Sequence, residues 1–295
     1  MMSTQNQTAR AGAQPASAQS AGVQSAESRP AQPAGAQSVG AESMPAQPSP
    51  ERTTHFGYQT VDAADKARLV GEVFRSVAGR YDLMNDLMSF GAHRGWKRFA
   101  ASQSALRHGD AALDAAGGSG DMAKLLARQV GCDGRVVLTD INAAMLAEGK
   151  SRMLDAGLAN MEYALADAEQ LPFDDDTFDC VSMAFGLRNV THPREALASL
   201  HRVLRPGGRL LVLEFSKPLI PWLNKIYDGY SFAVIPALGK LVAGDESSYR
   251  YLVESIRRHP DQHALKALMR GAGFDEVKIH NLSAGIVALH IGFKY

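Results

Sequence analysis

Residues 111–121, AALDAAGGSGD, constrain the chain more than any other stretch. Apolar Ala111, Ala112 and Leu113 lead to Asp114, and a loop of Gly117, Gly118, Ser119 and Gly120 follows. Asp121 then opens an apolar-periodic run through Met122, Leu125 and Leu126. A short buried strand, a glycine turn and a helix start make the first strand–helix unit of a doubly wound sheet. Glycine admits positive φ and lets a ligand lie against bare backbone. Gly118, Gly120 and Ala123 fit the dinucleotide pattern G-x-G-x-x-G/A, while Asp140, ending the next strand, suits the ribose of NAD or of a methyl donor. A diphosphate wants an unopposed helix N-terminus. The carboxylates of Asp114 and Asp121 instead suit a cation, such as the sulfonium and ammonium of S-adenosylmethionine. The plainer reading of Asp121 is a helix cap. The motif by itself leaves both cofactors open.

The rest of the chain sets this unit in a repeating α/β order. Before it, residues 62–77 have helical spacing, with Leu69, Val70, Val73, Phe74 and Val77 as the apolar stripe. Leu83, Met84, Leu87 and Met88 recur at the same spacing and read as core, interleaved with Tyr81, Asp82, Asn85 and Asp86. Gly91, His93 and Arg94 end that segment. After the glycine loop come a strand over 135–141, a helix over 142–154, a strand over 161–167 and a strand over 178–185 that ends in FGLRN. A helix over 193–204 stops at the Pro-Gly-Gly break of RPGG, before a fifth strand over 209–215. This rhythm implies a mostly parallel sheet with Gly118, Asp140, Asp167 and Arg188 at strand carboxyl ends. Residues 216–250 interrupt it with an amphipathic face of Leu219, Trp222, Leu223, Ile226, Tyr227 and Tyr230, read as a core helix or as a lid over a greasy substrate. A helix near 263–271 and two strands joined by Ser283, Ala284 and Gly285 close the chain as an antiparallel hairpin. A dinucleotide dehydrogenase needs a second substrate domain, so this ending weighs against NAD.

Composition excludes several classes. With 295 residues, 45% hydrophobic and no net charge, the chain can bury one large core. Neutral balance without a Lys/Arg block argues against nucleic acid as a partner. No apolar stretch is long enough to span a bilayer. Residues 1–54 are mostly Ala, Gln, Ser, Pro and Gly and read as a disordered tail. They lack the apolar core of a secretory signal, and Arg10, Arg29 and Arg52 are too few for a transit peptide. Cys132 and Cys180 lack C-x-x-C spacing and read as reduced, buried thiols of a cytosolic protein. His259 and His263 have i, i+4 spacing in HPDQH, but a solvated helix start is the plainer reading and no metal site is expected.

From about His55 to Tyr295 the sequence resembles the UbiE-type C-methyltransferases of ubiquinone and menaquinone biosynthesis. The motifs are RYDLMNDLMSFG at 80–91, AGGSGD, FDCVSMAFGLRNV at 178–190, RPGGRLLVLEFSKP at 205–218 and the terminal ALHIGFKY. The glycine loop and PGG are common to methyltransferases; the combination of YDLMND, FGLRN and LEFSKP is far more specific. The resemblance implies a seven-stranded, Rossmann-like class I methyltransferase fold that uses S-adenosylmethionine. It implies that Gly117, Gly118, Gly120, Asp114 and Ala184 line the donor site and that Ser119 contacts the donor. Asp140 takes the ribose hydroxyls, and Asp167 and Ala168 flank the adenine. Ser119 is commonly threonine in the family, and Ala184 stands where serine is frequent.

The implied reaction methylates a ring carbon of a polyprenylated hydroquinone, which needs in-line positioning and an exit for the hydroxyl proton. Arg188 would stabilise phenolate charge or orient a water, Asn189 would fix a ring oxygen, and Tyr81 would gate or bond the ring. The plain alternative for Arg188 is a structural pair with a carboxylate. Expected partners are the polyprenylated quinol, a membrane surface met peripherally from the cytoplasmic side, and a second copy in a homodimer.

Overall fold

The computed structural model describes residues 53–77, 85, 86, 89, 91–219 and 246–295. The expected tail up to Arg52, Tyr81, the stripe of Leu83, Met84, Leu87 and Met88, and the apolar face from Trp222 to Tyr230 lie outside the described residues.

Among the described residues, a hairpin of β1 (Thr53–Phe56) and β2 (Gln59–Asp62) comes first. Helix α1 (Ala63–Val77) follows. Helix α2 (His93–Ser102) starts where His93 and Arg94 were expected to end a segment. The expected alternation then appears: β3 (Ala111–Asp114), α3 (Asp121–Val130), β4 (Arg135–Asp140), α4 (Ala143–Asp155), β5 (Met161–Leu165), β6 (Phe178–Ala184), α5 (Pro193–Val203) and β7 (Leu204–Phe215). Helices α6 (Glu246–Arg258) and α7 (Gln262–Gly271) precede the closing strands β8 (Glu276–Leu282) and β9 (Val287–Phe293). Asn142 begins α4 by accepting from the N–H groups of Ala144 and Met145, and Asp261 does the same for α7 with His263 and Ala264.

Seven strands form one sheet in the order β5-β4-β3-β6-β7-β9-β8. The first five are parallel, and β9 runs antiparallel to both its neighbours. The central strands are continuous apolar runs because helices cover both faces. Successive side chains alternate between two cores. Ala112, Leu138, Leu211 and Leu213 enter one core, shared with α1, α2, α3 and α6. Leu113, Val137, Val181 and Val212 enter the other, with α5 and α7. The Trp96 indole of α2 donates to the Ser283 hydroxyl at 2.9 Å and ties that helix to the β8–β9 connection.

The Pro-Gly-Gly stretch is not the break that it resembles. Strand β7 starts at Leu204, which pairs with Phe178, and the register resumes at Arg209 opposite Cys180. Residues 205–208 form a bulge within the strand. Gly207 turns it at φ +85°, and a Cβ on Gly208 would stand 2.8 Å from the Asp179 carbonyl. Cys180 is buried as expected, but Cys132 is exposed, since it follows the end of α3.

Two glycines separate packing from propensity. A Cβ on Gly149 of α4 would lie 2.7 Å from the Gly118 carbonyl and 2.8 Å from Leu138, whereas a Cβ on Gly71 of α1 meets nothing within 4 Å. Gly149→Ala is expected to lower the unfolding free energy by about 1–3 kcal/mol. Gly71→Ala is expected to raise it by up to about 1 kcal/mol. Urea unfolding of the full chain measures both.

Candidate active site

The sheet order reverses at β3, whose neighbours β4 and β6 lead to opposite edges. In such sheets the crevice outside the strand carboxyl ends is where ligands bind. Here the crevice is made by the glycine loop after β3, the end of β4, residues 166–169 after β5 and the FGLRN segment after β6.

Asp114 holds the glycine loop from beneath. Its carboxylate is fully buried, and it accepts from the Ser182 hydroxyl of β6 at 2.7 Å and from the Ala123 N–H in the first turn of α3 at 2.9 Å. The residue before α3, Gly120, is left-handed at φ +81° and offers no side-chain cap, so an acid nine residues before Ala123 supplies the acceptor. Asp114 therefore supports the loop and does not face the crevice. Asp121 is not a cap either. It pairs with Lys97 at 2.9 Å and Arg152 at 3.1 Å. Contrary to the expectation from the sequence, neither carboxylate is free to attract a cationic donor: one is buried and hydrogen-bonded, and the other is neutralised by two side chains. Burial pushes the Asp114 carboxyl up to about 6, against the opposing effect of Ser182, the Ala123 N–H and Lys97. Burial also raises Asp121, but Lys97 and Arg152 outweigh it and hold that carboxyl below its ordinary value.

Asp140, expected from the sequence to take a ribose, is held against the glycine loop. One carboxylate oxygen accepts from the Gly118 N–H at 2.9 Å and the other from the Asn142 N–H at 2.8 Å. Burial raises its pKa, and these backbone donors oppose the rise. A carboxylate accepts more than two hydrogen bonds, so Asp140 keeps capacity for a diol. Ser119 is buried in the loop. Beside Asp140, Ile141, Asp167, Ala168, Ala116, Gly186 and Asn189 line one cleft, which Ala67 and Val70 of α1 border from the other side. The structure thus gathers Asp167, Ala168 and Asn189 from two separate loops.

The FGLRN segment is held by strain and by a buried ion pair. Phe185 is left-handed at φ +60° and so is Ala116, at φ +49°, across the crevice. A Cβ on Gly186 would lie 2.9 Å from the Ala116 methyl, so the two loops meet in contact. A bulky residue at positive φ is costly and is found where surroundings over-determine it. Here the Phe185 N–H bonds to the Leu213 carbonyl at 2.8 Å, and the Phe185 carbonyl accepts from Arg188 and from Asn189. Residues Leu187–Asn189 form a single 3-10 turn. Arg188 is buried and pairs with Glu214 of β7 at 2.9 Å, with only 2% and 1% of the two side chains exposed. The carboxylate pairing anticipated as the plain alternative is therefore real. The Arg188 Nε is buried without a hydrogen-bond partner among the described residues.

Tyr251 of α6 escaped the sequence reading. Its hydroxyl donates to Asn189 Oδ1 at 3.1 Å, and its ring stacks on Phe56 of the hairpin, with centroids 4.1 Å apart. Burial raises its pKa, so it stays a protonated donor at neutral pH. Both aromatic partners come from segments with no motif, and only their packing marks them. Tyr251 and Arg188 line a second cavity of about 360 Å³, with His259 and Lys66. The two cavities share Val190 and Thr191. Lys66 donates to the Val190 carbonyl at 2.7 Å, and burial lowers its pKa to about 8. The HPDQH reading is half right: His263 is exposed at the start of α7, but His259 is buried and its pKa is lowered, chiefly by that burial. Among the described residues, the donor atoms of Glu169, His192 and Glu195 lie within 4.8 Å of one another on the surface, where His192 already bonds Glu169 at 2.7 Å.

Comparison with known proteins gives the family and the fold. The profile of the ubiE/COQ5 methyltransferase family matches residues 61–294. The ubiquinone/menaquinone biosynthesis C-methyltransferase UbiE of Pseudomonas paraeruginosa is 60% identical over 245 residues, which are 83% of this chain and 96% of that protein. Its namesake in Escherichia fergusonii is 57% identical over 246 residues, 83% of this chain and 98% of that protein. Among solved structures, a SAM-dependent methyltransferase from Thermotoga maritima aligns at TM-score 0.54 and 19% identity, covering 76% of this chain and 99% of its own. The [4+2]-cyclase SpnF aligns at TM-score 0.54 and 20% identity, covering 75% of this chain and 76% of its own. These structures share the fold, and a cyclase among them shows that the fold alone does not set the reaction.

The raised Asp114 carboxyl makes stability depend on pH. With a folded pKa of about 6 against about 3.9 in an unfolded chain, the folded state binds more protons between those values. Its stability therefore falls as pH rises through that window. Asp114→Asn keeps an acceptor for Ala123 and offers an amide N–H to the Ser182 hydroxyl, which turns from donor to acceptor. The variant is expected to lose most of the decline between about pH 4 and pH 6, measured by urea unfolding across that range.

Proposed function

The chain belongs to the ubiE/COQ5 methyltransferase family, and we propose that it moves a methyl group from S-adenosylmethionine to a ring carbon of a polyprenylated hydroquinone. The ring is that of demethylmenaquinol, giving menaquinol, that of a 2-methoxy-6-polyprenyl-benzoquinol, or both in turn, since relatives carry both quinones in their name. The observation that carries this reading is 60% identity along nearly the whole length of such a relative. With it, the dinucleotide reading of the glycine loop falls away.

The residues of the crevice fit the donor. Asp140 has acceptor capacity for the ribose diol while Gly118 and Asn142 hold it in place. Ile141 and Ala168 offer apolar walls to the adenine, with Asp167 at its edge. Gly117, Gly118 and Gly120 bring bare backbone near the methionine part, with the Ser119 hydroxyl, and Ala184 ends β6 beside them. When bound, the donor supplies an electrophilic methyl group on a sulfonium. The ring is held by FGLRN. Asn189, oriented by Tyr251, fixes a ring oxygen, and the Arg188 Nε–H is a buried donor for oxygen charge as the ring hydroxyl ionises. Glu214 sets the position of that guanidinium and offsets its charge. Tyr81 completes the ring site in this reading.

The substrate's isoprenoid tail belongs in a bilayer. No helix among the described residues is long and apolar enough to cross one. The enzyme in this reading meets its quinol peripherally, at the cytoplasmic face. Leu219, 59% exposed, begins the apolar stretch proposed to receive the tail.

Methyl transfer from labelled donor to demethylmenaquinol and to a methoxylated polyprenyl benzoquinol tests the function directly; no transfer to either ring would reject it. Asp140→Ala is expected to weaken donor binding roughly tenfold or more, because hydrogen bonds to a charged group contribute about 1.5–3 kcal/mol. Titration calorimetry reads that loss. Tyr251→Phe removes one neutral hydrogen bond and is expected to lower kcat about 2–10-fold with donor affinity unchanged. A loss confined to donor affinity would remove Tyr251 from the ring side of the site.

A further inference from the structure

The chain carries no net charge, yet the fold gathers positive charge in one place. Arg94, Lys97 and Arg98 on α2, Lys124 and Arg128 on α3, and Arg152 on α4 line a single cavity of about 260 Å³. Among the described residues, two carboxylates pair with them. Asp121 takes Lys97 and Arg152, and Asp86 takes Arg94. Arg98, Lys124 and Arg128 form no ion pair among the described residues, and Arg98 and Arg128 are exposed. Among the described residues, six cations and two carboxylates meet here, on a chain with no net charge.

The cavity adjoins the donor loop. Helix α3 begins directly after Gly120, and Asp121, its first residue, lines the cavity. Lys124 and Arg128 lie about 4.5 Å and 10 Å further along the helix axis, from the rise of 1.5 Å per residue. One end of the cavity, at Asp121, therefore adjoins the glycine loop, and Lys124 and Arg128 carry the positive surface away from it along α3.

We propose that this basic cavity is a docking site for the phosphate headgroups of an anionic lipid bilayer, which seats the enzyme on the membrane that carries its substrate. The proposal rests on the quinol methyltransferase reading for the membrane-borne substrate and on the clustered charge for the place of contact. Guanidinium and ammonium groups match phosphate oxygens in charge and hydrogen bonding. Neutral overall charge gives no general attraction to anions, so the local cluster decides which face turns to the membrane. Each basic residue at an anionic surface raises partitioning about fivefold, and the attraction fades within a Debye length.

The test uses the full chain with flotation on phosphatidylcholine vesicles with and without phosphatidylglycerol. Binding is expected only with phosphatidylglycerol and is expected to fall at high salt. The variant Arg98→Glu/Lys124→Glu/Arg128→Glu is expected to reduce that binding about a hundredfold or more. The milder Arg98→Gln/Arg128→Gln is expected to reduce it about 25-fold, and it guards against a folding defect in the triple variant, which thermal melting reports. Both variants are expected to methylate a tail-less quinol in solution at the unmodified rate and to be slow on a long-tailed quinol in phosphatidylglycerol vesicles. Unchanged vesicle binding by the folded variants overturns the proposal. So does preference for inorganic phosphate or a nucleic-acid duplex over the vesicles in competition. Failure of the unmodified chain to methylate either long-tailed quinol in any vesicle instead rejects the function on which the proposal rests.

Discussion

One buried carboxylate joins the parts on which everything else depends. Asp114 ends the central strand, and its two oxygens reach the neighbouring strand through Ser182 and the following helix through the Ala123 N–H. A buried acid without partners would be a severe cost, whereas one that satisfies a helix N-terminus repays much of it. The raised carboxyl pKa is the remaining penalty. The same arrangement fixes where the glycine loop runs, and so where the Gly118 N–H meets Asp140.

A second buried acid plays the matching part on the other wall. Glu214, next to last in β7, receives Arg188, with the Phe215 N–H at 2.9 Å as a further donor. The pair holds a turn whose first residue, Phe185, is in a strained conformation. Breaking one partner of such a pair leaves an uncompensated charge, which costs about 3–5 kcal/mol. Strain at Ala116 and Phe185, in the two loops that touch across the crevice, is thus supported by charge buried beneath each. Each wall of the crevice is thus tied to the sheet through a buried acid. The hairpin and α6 complete it through the Phe56–Tyr251 stack and the bond to Asn189.

Charge is distributed to match. Acids lie buried at strand ends, where they position backbone and guanidinium groups, while cations collect on the outer wall of α2 and α3. Net neutrality is therefore a sum over regions of opposite character. A partner that meets only one wall responds to that wall's field, because charges more than a Debye length away are screened.

The sequence by itself determined the order of strands and helices from Ala111 to Phe215, the closing helix and hairpin, the glycine loop and the place of Asp140; helix α6 it did not show. These follow from apolar periodicity and from the special backbone freedom of glycine, both local properties. Its family motifs also determined the reaction class. Only the tertiary structure decided that Asp121 is neutralised, that Arg188 spends its charge on Glu214, 26 positions away, and that His259 is buried while Cys132 is exposed. It also turned Pro-Gly-Gly from a break into a bulge, because the register of β7 is set by β6 and β9. Tyr251 and the cluster of cations stayed invisible for the same reason. Periodicity states which face of an element is apolar, but which polar groups meet depends on sheet order and helix packing, which bring distant residues together.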